Sequence, residues 1–329
     1  MLPGPYLNAS TMPCLPSSVL PVTSNQPYIA TQAPLPDSLP AFYHHLLSSR
    51  ATLLVNLTPE FDASRGFKMR KAHRYWPRAS RSGRGDPIFD AGDGWKVQVV
   101  SEEKNTQLLD HMKGRDFVHG KDWVIIQRML RVTPPPGWQP SDPDTIAQAL
   151  SSGHGVETLS NHHHDKRMPD VETEADGSRT VEMIHVEHWI DGGDAASDNF
   201  ARLVELIAQH QSRQRQVQQV NGNGAEMSAY SDVLFPPIWV HCSAGIGRTG
   251  TLIGGLLARD ILLRSPSSAK TDDERLQLER FHEMSPVALT VRLWWHMRNR
   301  RAGLVTTAEQ AMMVLAEIER IKAKQRVGG

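Results

Sequence analysis

Cysteine is almost absent from this sequence: its 329 residues contain two, Cys14 and Cys242. Two cysteines so far apart do not make a disulfide framework, and the expected setting is a reducing one, cytosolic or nuclear. An excess of one charge is absent too, because 36 Lys and Arg balance 36 Asp and Glu. That balance argues against a nucleic-acid binder working through bulk charge. Long apolar runs are missing, and none approaches the roughly 20 residues that span a bilayer. The segment from Met1 to Pro21 is broken by Pro3, Pro5, Pro13, Pro16 and Pro21 and lacks a basic start followed by an apolar core. No signal peptide is expected from it. No internal repeat occurs. What is present, 39% hydrophobic and 22% charged residues, suits a globular core. The length admits one large domain or two ordinary ones.

The chain is organised around Trp239-Val240-His241-Cys242-Ser243-Ala244-Gly245-Ile246-Gly247-Arg248-Thr249-Gly250. Ile238 to Val240 is a short apolar run, as expected of a buried strand, and Thr249 to Leu263 is apolar with few breakers, as expected of a helix. The glycines between them let the backbone curl. Such a loop turns successive N–H groups into one concavity above a helix N-terminus, and both features attract an anion. A cysteine attacks only as thiolate, and a helix N-terminus beside a cation favours that form. Arg248 can hold two phosphate oxygens with its planar fork. The amides of Ser243, Ala244, Gly245, Ile246, Gly247 and Arg248 would cover the remaining oxygens. Cys242 would then lie in line for attack on phosphorus, giving a cysteinyl-phosphate. Thr249 can give its hydroxyl to the sulfur when that bond breaks.

The string V-H-C-S-A-G-I-G-R-T-G, with His241 before the cysteine, resembles the signature loop of the protein tyrosine phosphatases, in the form of the tyrosine-specific, non-receptor-like branch. Tyr6-Leu7-Asn8-Ala9-Ser10 and Tyr28-Ile29-Ala30-Thr31-Gln32-Ala33-Pro34 resemble two further strings of that family, in its order. Tyr75-Trp76-Pro77 resembles its Y-W-P string, which puts Lys71 at the position of a lysine near the active-site mouth. Glu60 and Asp62 are the candidates for an acidic residue that props the signature arginine. The resemblance implies an α/β (α+β type) fold: one domain over 1–329, with a central twisted mixed β-sheet flanked by helices. It implies no metal or organic cofactor, and phosphotyrosine-containing proteins as partners; oligomeric state is open. The family normally begins upstream with a helix and a tyrosine-bearing loop that walls the substrate pocket. Here the likeness begins at Tyr6, so the expectation is a shortened N-terminus or another element forming that wall.

Between the motifs, Pro36 to Ser49 reads as a helix and Ala51 to Leu57 as a buried strand. Arg65, Lys68, Arg70, Lys71, Arg74, Arg78, Arg81 and Arg84 lie in a stretch from Ser64 to Gly85 without Asp or Glu. It is either a solvated loop or a positive rim that draws in an acidic, phosphorylated partner. Trp95 to Val100, Trp123 to Val132 and Thr180 to Val186 read as strands. Three polar or low-complexity stretches, at about 133–179, 209–229 and 265–285, are expected to be disordered or mobile insertions. The first holds His162-His163-His164-Asp165; adjacent histidines can catch a metal, but ligands at fixed spacing are missing and no metal site is expected. Asn199 to Ala208, Val287 to Arg301 and Thr307 to Ile321 read as helices, the last with Met312, Leu315, Ile318 and Ile321 as its core face.

A departing phenolate needs a proton, and a carboxylic acid on a mobile loop can supply it. His188-Trp189-Ile190-Asp191-Gly192-Gly193-Asp194 resembles the family's W-P-D loop. The resemblance makes Asp191 the general acid and then the general base, with Trp189 supporting it. Ile190 replaces the usual proline and should loosen the hinge. Val305-Thr306-Thr307-Ala308-Glu309-Gln310 resembles the family's Q-T-x-x-Q segment, whose glutamines hold the hydrolytic water. Gln310 matches the second glutamine, and Thr306 stands in place of the first. Thr307-x-x-Gln310 is also a capping-box pattern. Three readings follow: an active tyrosine phosphatase, a weakly active or inactive phosphotyrosine-binding module, and a sulfur-transfer or redox enzyme. Arg248 and Asp191 would be superfluous for the third.

Overall fold

The computed structural model describes residues 7–12, 27–62, 69–78, 87–105, 123–142, 173–187, 189, 197–221, 235–269 and 271–328. A mixed sheet of eight strands runs through the chain. In chain order, ten strands are β1 (Ala9–Met12), β2 (Tyr28–Thr31), β3 (Leu53–Asn56), β4 (Phe61–Asp62), β5 (Met69–Arg70), β6 (Phe89–Asp90), β7 (Lys96–Asn105), β8 (Val124–Thr133), β9 (Arg179–Glu187) and β10 (Ile238–His241). The large sheet has the order β1-β2-β10-β3-β9-β8-β7-β6, and β4 pairs with β5 apart from it. Strands β2, β10, β3 and β9 are parallel, while β1 and β8, β7 and β6 are antiparallel to their neighbours. The parallel strands at the centre read as continuous apolar runs because both their faces are covered.

The helices are α1 (Leu39–Ser48), α2 (Ser197–Asn221), α3 (Gly247–Leu262), α4 (Asp272–Glu283), α5 (Pro286–Arg300) and α6 (Ala308–Gly328). Alternation along β10 divides the core between two faces. Ile238 and Val240 pack with Leu252, Leu256, Phe200 and Ile318 from α3, α2 and α6. Trp239 points the other way, onto Phe42 of α1 and Tyr75. The signature loop leaves β10 at the centre of the sheet, with β2 and β3 on either side. Its position is therefore fixed by the most buried strands of the chain. Among the described residues no helix is long and apolar enough to cross a membrane.

Three expectations need correction. Helix α2 continues to Asn221 instead of ending near residue 208, because the Gln- and Arg-rich stretch propagates a helix well. Gln211 on it is buried and donates to the Tyr28 hydroxyl at 3.0 Å. The stretch at 265–285 contains α4, capped by the Thr271 hydroxyl accepting from Glu274 N, with Asp272, Asp273 and Glu274 in its first turn. Leu278 and Phe281 bury its inner face, and Arg264 pairs with Glu274 at 2.6 Å. On α6 the core face is Met313, Val314, Ile318 and Ile321; Met312 is 59% exposed, one position off the stripe that meets α3. Of the stretch at 133–179, the segments 133–142 and 173–178 are described, and His162, His163, His164 and Asp165 lie outside the described residues.

Candidate active site

The loop from Cys242 to Ile246 joins β10 to α3, and its backbone is held from outside at each carbonyl. Ala33 N–H donates to the Ser243 carbonyl at 3.0 Å. Arg301 donates through Nη2 to the Ala244 carbonyl at 3.2 Å and through Nε to the Gly245 carbonyl at 2.9 Å. Val305 N–H donates to the Ile246 carbonyl at 3.3 Å. In a planar trans peptide the N–H points opposite to the C=O. Carbonyls of Ser243 to Ile246 drawn outward therefore turn the amides of Ala244 to Gly247 inward. Gly245 makes the bend with φ +70, and a Cβ there would lie 2.1 Å from the Thr31 carbonyl oxygen, so no other residue fits. The Ser243 hydroxyl ties the loop to the Lys71 carbonyl at 2.6 Å, which brings the basic segment to its edge.

Cys242 is a free thiol, 4% exposed, at the foot of this concavity. Arg248 is buried one residue into α3 and donates through Nη1 to the Leu57 carbonyl at 3.0 Å and the Trp189 carbonyl at 2.8 Å. The second bond fixes the start of the segment that carries Asp191. Trp189 is itself held by stacking on Trp123, with ring centroids 4.4 Å apart. Ile190, Asp191 and Asp194 lie outside the described residues. Thr249 is fully buried, and its hydroxyl has no hydrogen-bond partner among the described residues. Glu60 ion-pairs with Arg74. The side chain of Asp62 is outside the described residues.

His241 is fully buried between the loop and Tyr75. Its Nδ1 lies 3.0 Å from the Cys242 carbonyl, and its Nε2 lies 2.6 Å from the Tyr75 hydroxyl. A carbonyl can only accept, so Nδ1 carries the proton and Nε2 accepts from Tyr75. Burial, with the Arg248 charge adding to it, pushes the His241 pKa down to about 4. The imidazole is neutral and acts as a strut, passing the position of Tyr75 to the Cys242 backbone. Burial also raises the Tyr75 pKa, keeping its hydroxyl protonated as the donor this strut requires.

Gln310 and Thr306 reach the loop from the α5–α6 joint. A Cβ on Gly247 would lie 2.7 Å from Thr306 Oγ1 and 2.8 Å from Gln310 Nε2. Gln310 is 2% exposed; its Oε1 accepts from Thr306 N at 2.8 Å, while its Nε2 has no partner among the described residues. A buried amide donor left open beside an anion cradle is suited to a ligand or water there. Thr307 Oγ1 also accepts from Gln310 N at 3.3 Å, so the capping role coexists with the site position. Arg301, and Tyr75 as the partner of His241, escaped the sequence reading as supports. Arg301 lies only one residue beyond a helix, and nothing in its local pattern signals that it reaches back 56 residues to Gly245.

Together these features define a mixed α/β domain that presents a buried thiol and an arginine beneath inward-facing amides at a helix N-terminus. The family model for protein-tyrosine phosphatases matches residues 2–164 and 138–318. The chain belongs to that family. It is 26% identical over 263 residues to the human receptor-type tyrosine-protein phosphatase H, covering 80% of this chain and 15% of the relative. It is 39% identical over 85 residues to the probable tyrosine phosphatase protein H4 of Microplitis demolitor bracovirus, covering 26% of this chain and 39% of the relative. The chain thus spans less than half the length of these relatives. The solved structure of Trypanosoma brucei protein tyrosine phosphatase TbPTP1 shares the fold, with a TM-score of 0.52 and 21% identity over 97% of this chain and 74% of that one.

Proposed function

We propose that this chain hydrolyses phosphotyrosine in proteins through a cysteinyl-phosphate intermediate. The observation that carries the reading is the outward pull on the carbonyls of Ser243 to Ile246, which leaves the amides facing inward above Cys242 and beside Arg248. In this reading the amides from Ser243 to Arg248 and the Arg248 fork hold the three non-bridging phosphate oxygens. The Cys242 thiolate attacks phosphorus in line as the P–O bond to the tyrosine breaks. Asp191, two residues past the Trp189 carbonyl that Arg248 grips, gives its proton to the leaving phenolate oxygen. A water then attacks the phosphorus of the cysteinyl-phosphate and loses its proton to Asp191. The S–P pair returns to sulfur, where the open Thr249 hydroxyl donates to it. Gln310 orients that water, and Lys71 and His241 support the rim and the foot of the loop. The partners are phosphotyrosine proteins of signalling pathways in the cytoplasm or nucleus, with no cofactor and no metal required.

Thr306 in place of a glutamine and Ile190 in place of a proline favour a second reading, a weakly active or inactive phosphotyrosine-binding module. Kinetics with an aryl phosphate and a phosphopeptide panel separates the two. The enzyme reading expects release of phosphate from phosphotyrosine peptides, lost in Cys242→Ser while peptide binding persists. Binding without turnover in the unaltered protein supports the second reading.

A further inference from the structure

The joint between α5 and α6 is strained at a residue that ordinarily avoids such a conformation. Val305 has φ +59, in the left-handed region; Gly303 two residues earlier also has a positive φ, +82, which glycine takes freely and a valine does not. A β-branched residue persists there only where its surroundings over-determine it. Here they do. Arg298 Nε and Trp294 Nε1 both donate to the Leu304 carbonyl at 3.0 Å, and Arg298 Nη2 donates to the Val305 carbonyl at 2.9 Å. The guanidinium lies 4.3 Å over the Trp294 ring, which fixes its plane. Val305 N–H closes the turn onto the Ile246 carbonyl of the signature loop. Two donors of Arg298 are thus committed to this turn.

The consequence of the turn is the orientation of Gln310. Thr306 leaves it with N–H and Oγ1 both directed at Gln310 Oε1, at 2.8 and 2.9 Å. A backbone N–H can only donate, so the amide oxygen must face Thr306 and the amide nitrogen must face Gly247. Gln310 Oε1, though also near Gly247, is engaged by Thr306, and Nε2 is the amide atom left open toward the cradle, so Gln310 meets it chiefly as a hydrogen-bond donor. We propose that Arg298 is a positioning residue: it clamps the strained Leu304–Val305 turn and thereby holds Gln310 with its open Nε2 directed at the signature loop.

The kinetic consequence rests on the phosphatase reading. In the second step a water forms the new P–O bond, the S–P bond breaks with its electron pair returning to Cys242, and the water proton passes to Asp191. Gln310 only steadies an oxygen in that step. The first step, attack by Cys242, does not involve it. Releasing the clamp should slow the second step and spare the first. Glycine at position 305 removes the strain, so it should restore the turn without the clamp.

The test combines amide hydrogen exchange with rapid-quench kinetics on an aryl phosphate, for the unaltered protein, Arg298→Ala, Arg298→Lys and Arg298→Ala/Val305→Gly. Arg298→Ala is expected to speed exchange of the Val305 and Thr306 amides and to slow dephosphorylation, each by about tenfold, a change within the range that releasing such strain supplies. Exchange in β10 and the rate of the phenol burst should stay within about twofold of the unaltered protein, a change too small to signal an altered barrier. Lysine cannot reproduce the fork and should not rescue, whereas the double variant should recover both amide protection and dephosphorylation. Unchanged exchange at Val305 and Thr306, equal slowing of both steps, or no recovery in the double variant overturns the proposal. If the unaltered protein releases no phenol, the phosphatase reading fails, and the exchange data alone decide whether the clamp exists.

Discussion

Arg301→Ala probes how the cradle is held. The side chain grips the carbonyls of Ala244 and Gly245 and also donates through Nη1 to Asn8 Oδ1 at 3.0 Å and Ser10 Oγ at 3.3 Å. It links the start of the sheet to the two peptides whose amides should bind phosphate. A hydrogen bond with one charged partner contributes about 1.5–3 kcal/mol. Arg301 is partly exposed, so water can replace some of what is lost, and the low end applies. Losing two such bonds should weaken the inward orientation by about 2–3 kcal/mol, which corresponds to roughly 30–150-fold in an equilibrium or rate. Inhibition by inorganic phosphate and kcat/KM for an aryl phosphate should fall in parallel, because in the proposed mechanism the same amides hold the ground-state oxyanion and the transition state. Arg301→Lys keeps the charge but not the fork, and should recover little. The folded fraction is followed by urea unfolding. Phosphate affinity within about threefold of the unaltered protein, in a folded variant, would refute the reasoning, since that is under 0.7 kcal/mol.

Other consequences can be checked separately. Thr306→Gln supplies an amide where the chain has a hydroxyl. Pre-steady-state kinetics should show a burst of phenol in the unaltered protein, and a smaller burst with faster steady-state turnover in the variant; no burst in the unaltered protein contradicts a slow second step. Burial lowers the pKa values of His185, His241 and His296 to about 3, 4 and 4. The unfolded chain takes up these protons near pH 6.5 while the folded chain does not. Stability from these groups is therefore full above about pH 6.5 and declines as the pH falls toward 4, by up to about 1.4 kcal/mol per pH unit for each histidine. Urea unfolding between pH 7 and 5 should show a shallower pH slope in His296→Gln, and an unchanged slope would refute this.

The sequence made the centre of the molecule legible because local chemistry and tertiary role coincide there. Cys242, Arg248 and the loop glycines sit within one strand–loop–helix unit, and the structure keeps them together. β3, β9 and β10 were readable as apolar runs covered on both faces, and β7 and β8 as strands in which buried apolar residues alternate with more exposed ones. The insertion near 265–285 was misread because polar composition hides a helix that needs only Leu278 and Phe281 to dock. The end of α2 was misread for the same reason: Gln and Arg favour helix, but an unpatterned polar stretch resembles a loop. The Met312 error is one of phase: Ile318 and Ile321 are buried as read, but toward the N-terminus the buried side runs through Val314 and Gln310 and not through Met312. Arg301, Tyr75 and the strained Val305 were not readable, because their roles come from long-range hydrogen bonds and a backbone angle. No residue pattern encodes those features.

The most direct measurement is mass spectrometry of protein quenched in acid during turnover of an aryl phosphate. A phosphoryl group on the peptide containing Cys242, absent from Cys242→Ser, is the predicted result. Sustained phosphate release with Cys242 never phosphorylated would contradict the account.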